Sequence, residues 1–262
     1  MISDRLHERF RNGLPAVGTF VNVASPDVVE ALGRTGIEFV TIDTEHAPTT
    51  LADVGNLIRA AEVTGLVPIV RVPSADAQSI FNVLDAGALG VQVPQVRNVH
   101  DVETVARASR YSPFGLRGLA PLRACEYGMA LSDEYIQAAN KAIVTIVQIE
   151  SPEAVENLKP IARADGVDII FGGPLDLSVA MGVPGKTDHP KVLAILDRIL
   201  KETKAAGKVA GIAVSSIDEA SAYIEKGFQF ITVGSDLSFI IKQARLLADF
   251  ARRFSLEGSH VT

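Results

Sequence analysis

The sequence predicts a single (β/α)8 barrel of the α/β class, and three observations carry that prediction. Eight short β-branched runs recur along the chain with helical patterns between them. Most of the runs are continuously apolar, as expected of strands covered on both faces in a parallel sheet. Glycines at 36, 65, 87, 166, 207 and 227 each close a helical stretch just before the next strand. The helix C′ position there usually needs a left-handed backbone. An open doubly wound sheet would more often carry a glycine-rich phosphate loop after its first strand, whereas Asn22-Val23-Ala24-Ser25 follows here. No linker interrupts the rhythm, so residues 1–262 read as one domain.

In order, the strands are expected at 16–21, 39–43, 67–72, 90–96, 143–150, 167–172, 209–214 and 230–234. Helices are expected at 51–63, 101–110, 191–206 and 217–226. Ser25-Pro26-Asp27 and Ser151-Pro152-Glu153 each offer an N-cap hydroxyl, a proline at the first helical position and an acid near the positive helix end. The stretch from Arg110 to Asn140 breaks the rhythm. It is long for a plain connection, and it reads as a segment folding over the barrel mouth.

Composition narrows the function. Hydrophobic residues make up 47% of 262, ample for a large core. A net charge of −6 and a pI near 5.4 exclude the concentrated basic face of a nucleic-acid binder. Cys125 is the single cysteine, so no internal disulfide forms, and a reducing cytoplasm is expected. Its plain reading is a partly buried thiol without a chemical role. No apolar run reaches the roughly 18 residues of a membrane span. Met1-Ile2-Ser3-Asp4-Arg5 lacks the apolar stretch of a signal peptide.

Three strand ends carry the chemistry: 42–48, 147–150 and 171–178. In a parallel barrel the carboxyl edge gathers such residues into one cavity. Glu150 and Asp176 have two readings, a pair holding Mg²⁺ or Mn²⁺ together with waters, or two helix-capping acids. Gln148 shares the inward face with Glu150 by the strand period of two, which favours a site. The glycines of Gly172-Gly173-Pro174-Leu175-Asp176 either admit a small carboxylate ligand to the N–H groups of the next helix or make a tight turn. Arg71 ends an apolar run and needs an anion, whether a ligand oxygen or an internal partner such as Asp43 or Glu45. Asp43, Glu45 and His46 leave one strand end together. An acid beside an imidazole orients it and raises its basicity, which makes His46 the candidate general base. His7, His100, His189 and His260 lack such company. None of the nine lysines ends a strand at the carboxyl edge, which argues against Schiff-base chemistry.

Residues 42–48, 70–72, Arg117-Gly118, 147–150 and 171–178 together resemble the metal-dependent pyruvate aldolases of the HpcH/HpaI family, in order and spacing from about Leu14 to Phe254. That family includes 4-hydroxy-2-oxoheptanedioate aldolase and several aldolases of keto-deoxy sugar acids. The resemblance implies a class II aldolase cleaving a 4-hydroxy-2-oxo acid to pyruvate and an aldehyde. It implies a divalent ion (Mg²⁺, Mn²⁺ or Co²⁺) on Glu150 and Asp176. Arg71 would steady the developing enolate, and His46, paired with Asp43, would act as base. Gln148 with Gly173, Pro174, Leu175 and Asp176 would complete the pyruvate pocket. It also implies a homo-hexamer built from dimers that exchange their last helix, which suits Phe239, Leu246 and Phe250. Thr44, the loop 119–128 and Ala213 depart from the heptanedioate enzymes, and the loop is closer to the sugar-acid enzymes. Those positions are expected to face the aldehyde. Two rivals stand beside this reading, an acyl-CoA lyase of the same superfamily and a non-catalytic keto-acid-binding barrel. The first would need a basic cluster at the mouth that the sequence lacks, and the second would need no base.

Overall fold

A computed structural model describes residues 4–257 of the protein. Helix α1 (Asp4–Arg11) precedes eight strands: β1 (Ala16–Val21), β2 (Phe39–Asp43), β3 (Val67–Arg71), β4 (Gly90–Val93), β5 (Val144–Ile149), β6 (Ile169–Gly172), β7 (Val209–Val214) and β8 (Phe230–Ser235). They close into a barrel in chain order, every pair parallel, with β8 returning to β1. The outer helices are α2 (Pro26–Gly33), α3 (Leu51–Thr64), α4 (Ala77–Asp85), α5 (Val99–Ser109), α6 (Asp133–Ala142), α7 (Pro152–Glu156), α8 (Leu158–Arg163), α9 (Pro174–Ala180), α10 (Pro190–Ala205) and α11 (Ile217–Lys226). A final helix, α12 (Asp236–Glu257), follows β8. The predicted barrel is therefore the observed one.

Two apolar clusters explain why the strands read as unbroken apolar runs. One side of each strand packs on helices through residues such as Val40, Ile42, Val70, Val91, Val147 and Ile170. The other fills the barrel with Ala16, Phe39, Val67, Ile69, Val144, Ile146, Ile169, Phe171 and Phe230, and Leu6 of α1 belongs to this same inner cluster. Phe39 stacks on Phe230 at 4.1 Å between ring centroids, and Phe171 meets Phe230 edge-on. Gly18 has no room for a side chain there, because a Cβ would lie 2.3 Å from the Phe39 carbonyl oxygen.

The helix-closing glycines behave as expected. Gly36, Gly65, Gly87, Gly166, Gly207 and Gly227 all have φ between 70° and 108°. Ser151 caps α7 through its side chain, accepting from the Ala154 N–H. Ser25 makes no such bond, although Pro26 does open α2, so the expected hydroxyl cap is absent there.

The expectation for residues 110–140 is corrected. This stretch connects α5 to β5, so it lies where strands begin, opposite the mouth. Its bonds agree: Arg110 reaches Thr145 and Asp168 beside the starts of β5 and β6, Arg117 binds Asp85 at the end of α4, and Arg123 pairs with Glu62 in the last turn of α3. The loop 119–128 thus turns away from its own chain's mouth. Among the described residues no helix is long and apolar enough to cross a membrane.

Candidate active site

Register brings the site together before any side-chain preference acts. Asp43 pairs with Arg71 across β2 and β3, and Arg71 pairs with Gln92 on β4. Both charged side chains therefore rise from adjacent strand ends into the same mouth. Arg71 Nε donates to Asp43 Oδ1 at 2.9 Å and Nη2 to Oδ2 at 2.8 Å, a bidentate fork. Asp43 is completely buried, and Arg71 is nearly so. Asn22 Nδ2 and the backbone N–H of Glu45 also donate to Asp43, so its oxygens are well supplied. Burial alone would raise its pKa. The hydrogen bond and charge of Arg71, with the N–H groups of Glu45 and His46, outweigh that and hold it below the ordinary value.

Two expectations change here. The anion that Arg71 needs is internal: Asp43 supplies the fork, and Glu45 Oε2 lies 3.3 Å from Nη1. The guanidinium nonetheless lines the mouth cavity and lies 4.5 Å from the Phe20 ring centre. The predicted pairing of His46 with Asp43 is absent at the imidazole. Asp43 meets the His46 backbone N–H, at 3.4 Å, while the ring's Nε2 faces Glu45 Oε2 at 3.7 Å. Asp43 is already committed to Arg71, which leaves Glu45 as the carboxylate beside the imidazole. Burial raises the pKa of Glu45, against the opposing charges of Arg71 and His46.

The second acid group stands just past β5, at Glu150, and in the first turn of α9, at Asp176. Glu150 Oε2 accepts from Gln148 Nε2 at 2.6 Å, and Oε1 accepts from the Gln95 backbone N–H at 2.7 Å. Gln95 takes a left-handed backbone, φ 55°, unusual for a residue with a side chain. Burial is the main cause raising the pKa of Glu150, and the nearby charge of Asp176 adds to it. Gly173 shows how close these acids are: a Cβ there would sit 3.2 Å from Glu150 Oε2 and 3.4 Å from Asp176 Oδ2. Its neighbour Gly172 answers to packing instead, since a Cβ would meet Leu196 Cδ2 of α10 at 2.8 Å. Neither glycine has a positive φ, so the turn needs both for space.

A cavity of about 530 Å³ opens at this edge, lined among others by Phe20, Asn22, Asp43, His46, Arg71, Pro174, Leu175 and Ala213. Glu150, Gln148 and Asp176 are not in its wall; they lie beside it, joined through the Pro174–Leu175 turn. The expected site residues thus fall into two neighbouring groups on one barrel edge. Arg117-Gly118 lies at the other edge, with Arg117 stacked 4.6 Å from the Tyr111 ring centre. His260 lies outside the described residues. Among the described residues, no cluster of three or more His, Cys, Asp and Glu side chains forms a ready metal cage.

Four participants escaped the sequence: Asn22, Gln92, Gln95 and Asp236. Asp236 is buried and accepts from the backbone N–H groups of Asn22 and Val23, tying the end of β1 to the start of α12. Asn22 directly follows the first strand, level with the Asp43 that ends the second, and that shared position was the available signal.

A family model described as HpcH/HpaI aldolase/citrate lyase matches residues 16–243. The chain is 34% identical to 4-hydroxy-2-oxo-heptane-1,7-dioate aldolase of Klebsiella pneumoniae, over 94% of this chain and 93% of that protein. It is 35% identical to 5-keto-4-deoxy-D-glucarate aldolase of an Enterobacter species, over 95% and 98%. A crystal structure of an HpcH/HpaI aldolase/citrate lyase family protein from Burkholderia cenocepacia superposes with a TM-score of 0.89 at 35% identity, covering 95% of this chain and 99% of that one.

The Asp43–Arg71 pair predicts a pH signature. Because its folded pKa lies below the unfolded one, Asp43 contributes stability that is fully present above the unfolded value. That contribution is lost as pH falls through the folded value. Asp43→Asn strands a buried guanidinium and should cost about 3–5 kcal/mol at pH 7. The gap to wild type should narrow below about pH 4, where a free carboxyl protonates. Urea denaturation of both proteins at several pH values checks this; a gap independent of pH would mean the pair is not ionic.

Proposed function

The chain belongs to the HpcH/HpaI aldolase/citrate lyase family, and from that premise we propose that it is a class II aldolase cleaving a 4-hydroxy-2-oxo acid to pyruvate and an aldehyde. One observation carries the reading. A buried carboxylate, Glu150, and a half-buried one, Asp176, converge on the space kept open at Gly173, next to a fixed guanidinium and an exposed imidazole on the same edge.

Glu150 and Asp176 fit a divalent cation. Both present oxygens to one small volume, burial and then the nearby charge of Asp176 raise the cost of charging Glu150, and Gln148 and Gln95 hold Glu150 in place. Mg²⁺, Mn²⁺ and Co²⁺ are the candidates. When bound, such an ion polarises the 2-oxo group of the substrate as a Lewis acid. The chain's own residues do the rest. The N–H groups of the Gly173–Asp176 turn receive the substrate carboxylate. Arg71, held by Asp43, places its positive charge where the C2 oxygen becomes an enolate; that charge is already oriented and costs no reorganisation during reaction. His46 takes the 4-hydroxyl proton as the C3–C4 bond breaks; the freed O–H pair makes the aldehyde carbonyl, the C3–C4 pair becomes the C2=C3 double bond, and the C2=O π pair moves onto the C2 oxygen. The imidazolium then returns the proton to C3, giving pyruvate. Glu45, 3.7 Å from the imidazole, stabilises that imidazolium in the role expected of Asp43.

Among the described residues lining the cavity, Arg71 and His46 are the basic ones, which gives an acyl-CoA diphosphate little to bind. A barrel that only bound a keto acid would have no use for His46 beside Glu45. The aldehyde is proposed to lie toward Ala213 and Ser215, in the same cavity. Pyruvate release from a panel of 4-hydroxy-2-oxo acids identifies the substrate. The buried free thiol of Cys125 suits a reducing cytoplasm.

Helix α12 supports a homo-oligomer, the hexamer of exchanged helices that the resemblance implies. Leu237, Ile240, Ile241, Leu246 and Leu247 are all more than two-fifths exposed along it, an apolar surface too large for a helix facing water alone. Light scattering should give a mass several times that of one chain, and truncation after Ser235 should lower it. A full-length monomer would dismiss the assembly.

Stripping divalent metal should abolish turnover, and Mg²⁺, Mn²⁺ or Co²⁺ should restore it. Activity in excess chelator, or covalent trapping of substrate by borohydride, would count against the reading.

His46→Ala should keep the fold and pyruvate binding yet lose about 10²–10⁴-fold in rate. It should also lose exchange of pyruvate's methyl protons with deuterated water, which reports enolate formation without any aldehyde. Equal exchange in both proteins, followed by NMR, would remove His46 from the mechanism.

A further inference from the structure

We infer that Gln92 is a positioning residue: through the side-chain amide of Gln148 it fixes how Glu150 is presented to the divalent ion. The inference rests on the metal reading above and extends it by one residue that the functional argument has not used.

Three groups form a directed chain. Gln92 Nε2 donates to Gln148 Oε1 at 2.6 Å, Gln148 Nε2 donates to Glu150 Oε2 at 2.6 Å, and both amides are buried. The direction is set by Glu150, whose ionised carboxylate can only accept. It must face the NH2 of Gln148, so the carbonyl of Gln148 must face the other way, toward a donor. Gln92 is that donor. An amide can turn over with little change of shape, and Gln148 would then aim its oxygen at the carboxylate. The hydrogen bond from Gln92 is what opposes that reversal.

Position in the barrel gives Gln92 this reach. Register pairs Arg71 with Gln92 and Gln92 with Ile146, so Gln92 projects inward from β4 between the arginine strand and the glutamate strand. With the stagger of an eight-stranded barrel, Thr41, Gln92, Phe171 and Thr232 of the even strands share one layer beneath the mouth. Gln92 Oε1 and the hydroxyls of Thr41 and Thr232 in that layer have no hydrogen-bond partner among the described residues. A buried amide with one half unpartnered is costly in an otherwise apolar barrel. Leucine of similar size would fill the space without that cost, so packing does not explain a glutamine here. The bond to Gln148 does.

The test uses the full-length protein, with Mn²⁺ as the probe, titrated by electron paramagnetic resonance. Gln92→Leu keeps the volume and removes the donor; it should keep its thermal transition and bind Mn²⁺ about tenfold more weakly, the scale of losing a ligand's supporting hydrogen bond. Gln92→Glu, which can only accept when ionised, should turn the Gln148 amide over and weaken Mn²⁺ further. Gln148→Leu should show its own loss, and adding Gln92→Leu to it should add nothing, because the two act in series. A residue with a merely structural role would give independent, additive losses. Wild-type Mn²⁺ affinity in Gln92→Leu, or additivity in the double variant, overturns the inference and leaves the aldolase reading standing. Failure of the wild type itself to bind Mn²⁺ overturns the metal reading and this inference together.

Discussion

The mouth of the barrel depends on one buried ion pair. Asp43 and Arg71 occupy paired positions on neighbouring strands, and neither is stable there alone. Removing a carboxylate from water is expensive, and attraction to one partner rarely repays it unless the remaining lone pairs are also filled. Here they are filled, by Asn22 and by the backbone of Glu45. Those donors come from the β1 and β2 loops, so satisfying one carboxylate also shapes both loops. Asn22 in turn is held by Asp236, and the pair thereby reaches the root of the last helix. His46 stands where it does because the loop carrying it is folded around Asp43, through the backbone and without any bond to the imidazole.

Charge balance makes the second half of the site follow from the first. Arg71 is spent mainly on Asp43 and only flanks Glu45. Among the described residues no cationic side chain is bonded to Glu150 or Asp176, and burial already resists ionisation of Glu150 and of Glu45. A site with this surplus of carboxylate invites a cation that is not part of the chain. The amides of Gln148 and Gln95 can orient Glu150 but cannot neutralise it. That division, orientation by neutral groups and neutralisation from outside, supports the proposed metal more strongly than either acid does by itself.

The sequence made the barrel legible because its signals are local. Apolar strands such as 39–43 and the six helix-closing glycines with positive φ each report their own few residues. Strand ends were therefore recoverable, and with them Asp43, Arg71, Gln148, Glu150 and Asp176. What failed was relational. The stretch 110–140 looked like a mouth cover on length alone, although a segment that follows a helix and precedes a strand must lie at the opposite edge. The resemblance implied Asp43 and His46 as partners, but two strands side by side gave the carboxylate to Arg71 first. Asn22, Gln92 and Gln95 are neutral amides in or just beyond apolar strands. Only register shows that the side chains of Asn22 and Gln92 donate to Asp43 and Gln148, and that Gln95 donates to Glu150 through its backbone N–H.

Polarity inside the barrel changes with height, and this confines the chemistry to one end. Near the strand starts the interior is Ala16, Phe39, Val67, Val144 and Phe230, joined by Leu6 of α1. One layer higher stand Thr41, Gln92 and Thr232 with Phe171, and above them the charged groups. A charge placed low in this stack would find neither a partner nor water, whereas at the top it finds both. The middle layer is the transition. Its hydroxyls and amide carry no charge to stabilise, yet they let hydrogen bonding begin below the site, where side chains are fixed by the core. Glu150, held from beneath by Gln92 and Gln148, inherits that rigidity, while His46 stands more than half exposed on its loop. The same sheet thus joins a fixed floor beneath Glu150 to an exposed imidazole at its rim.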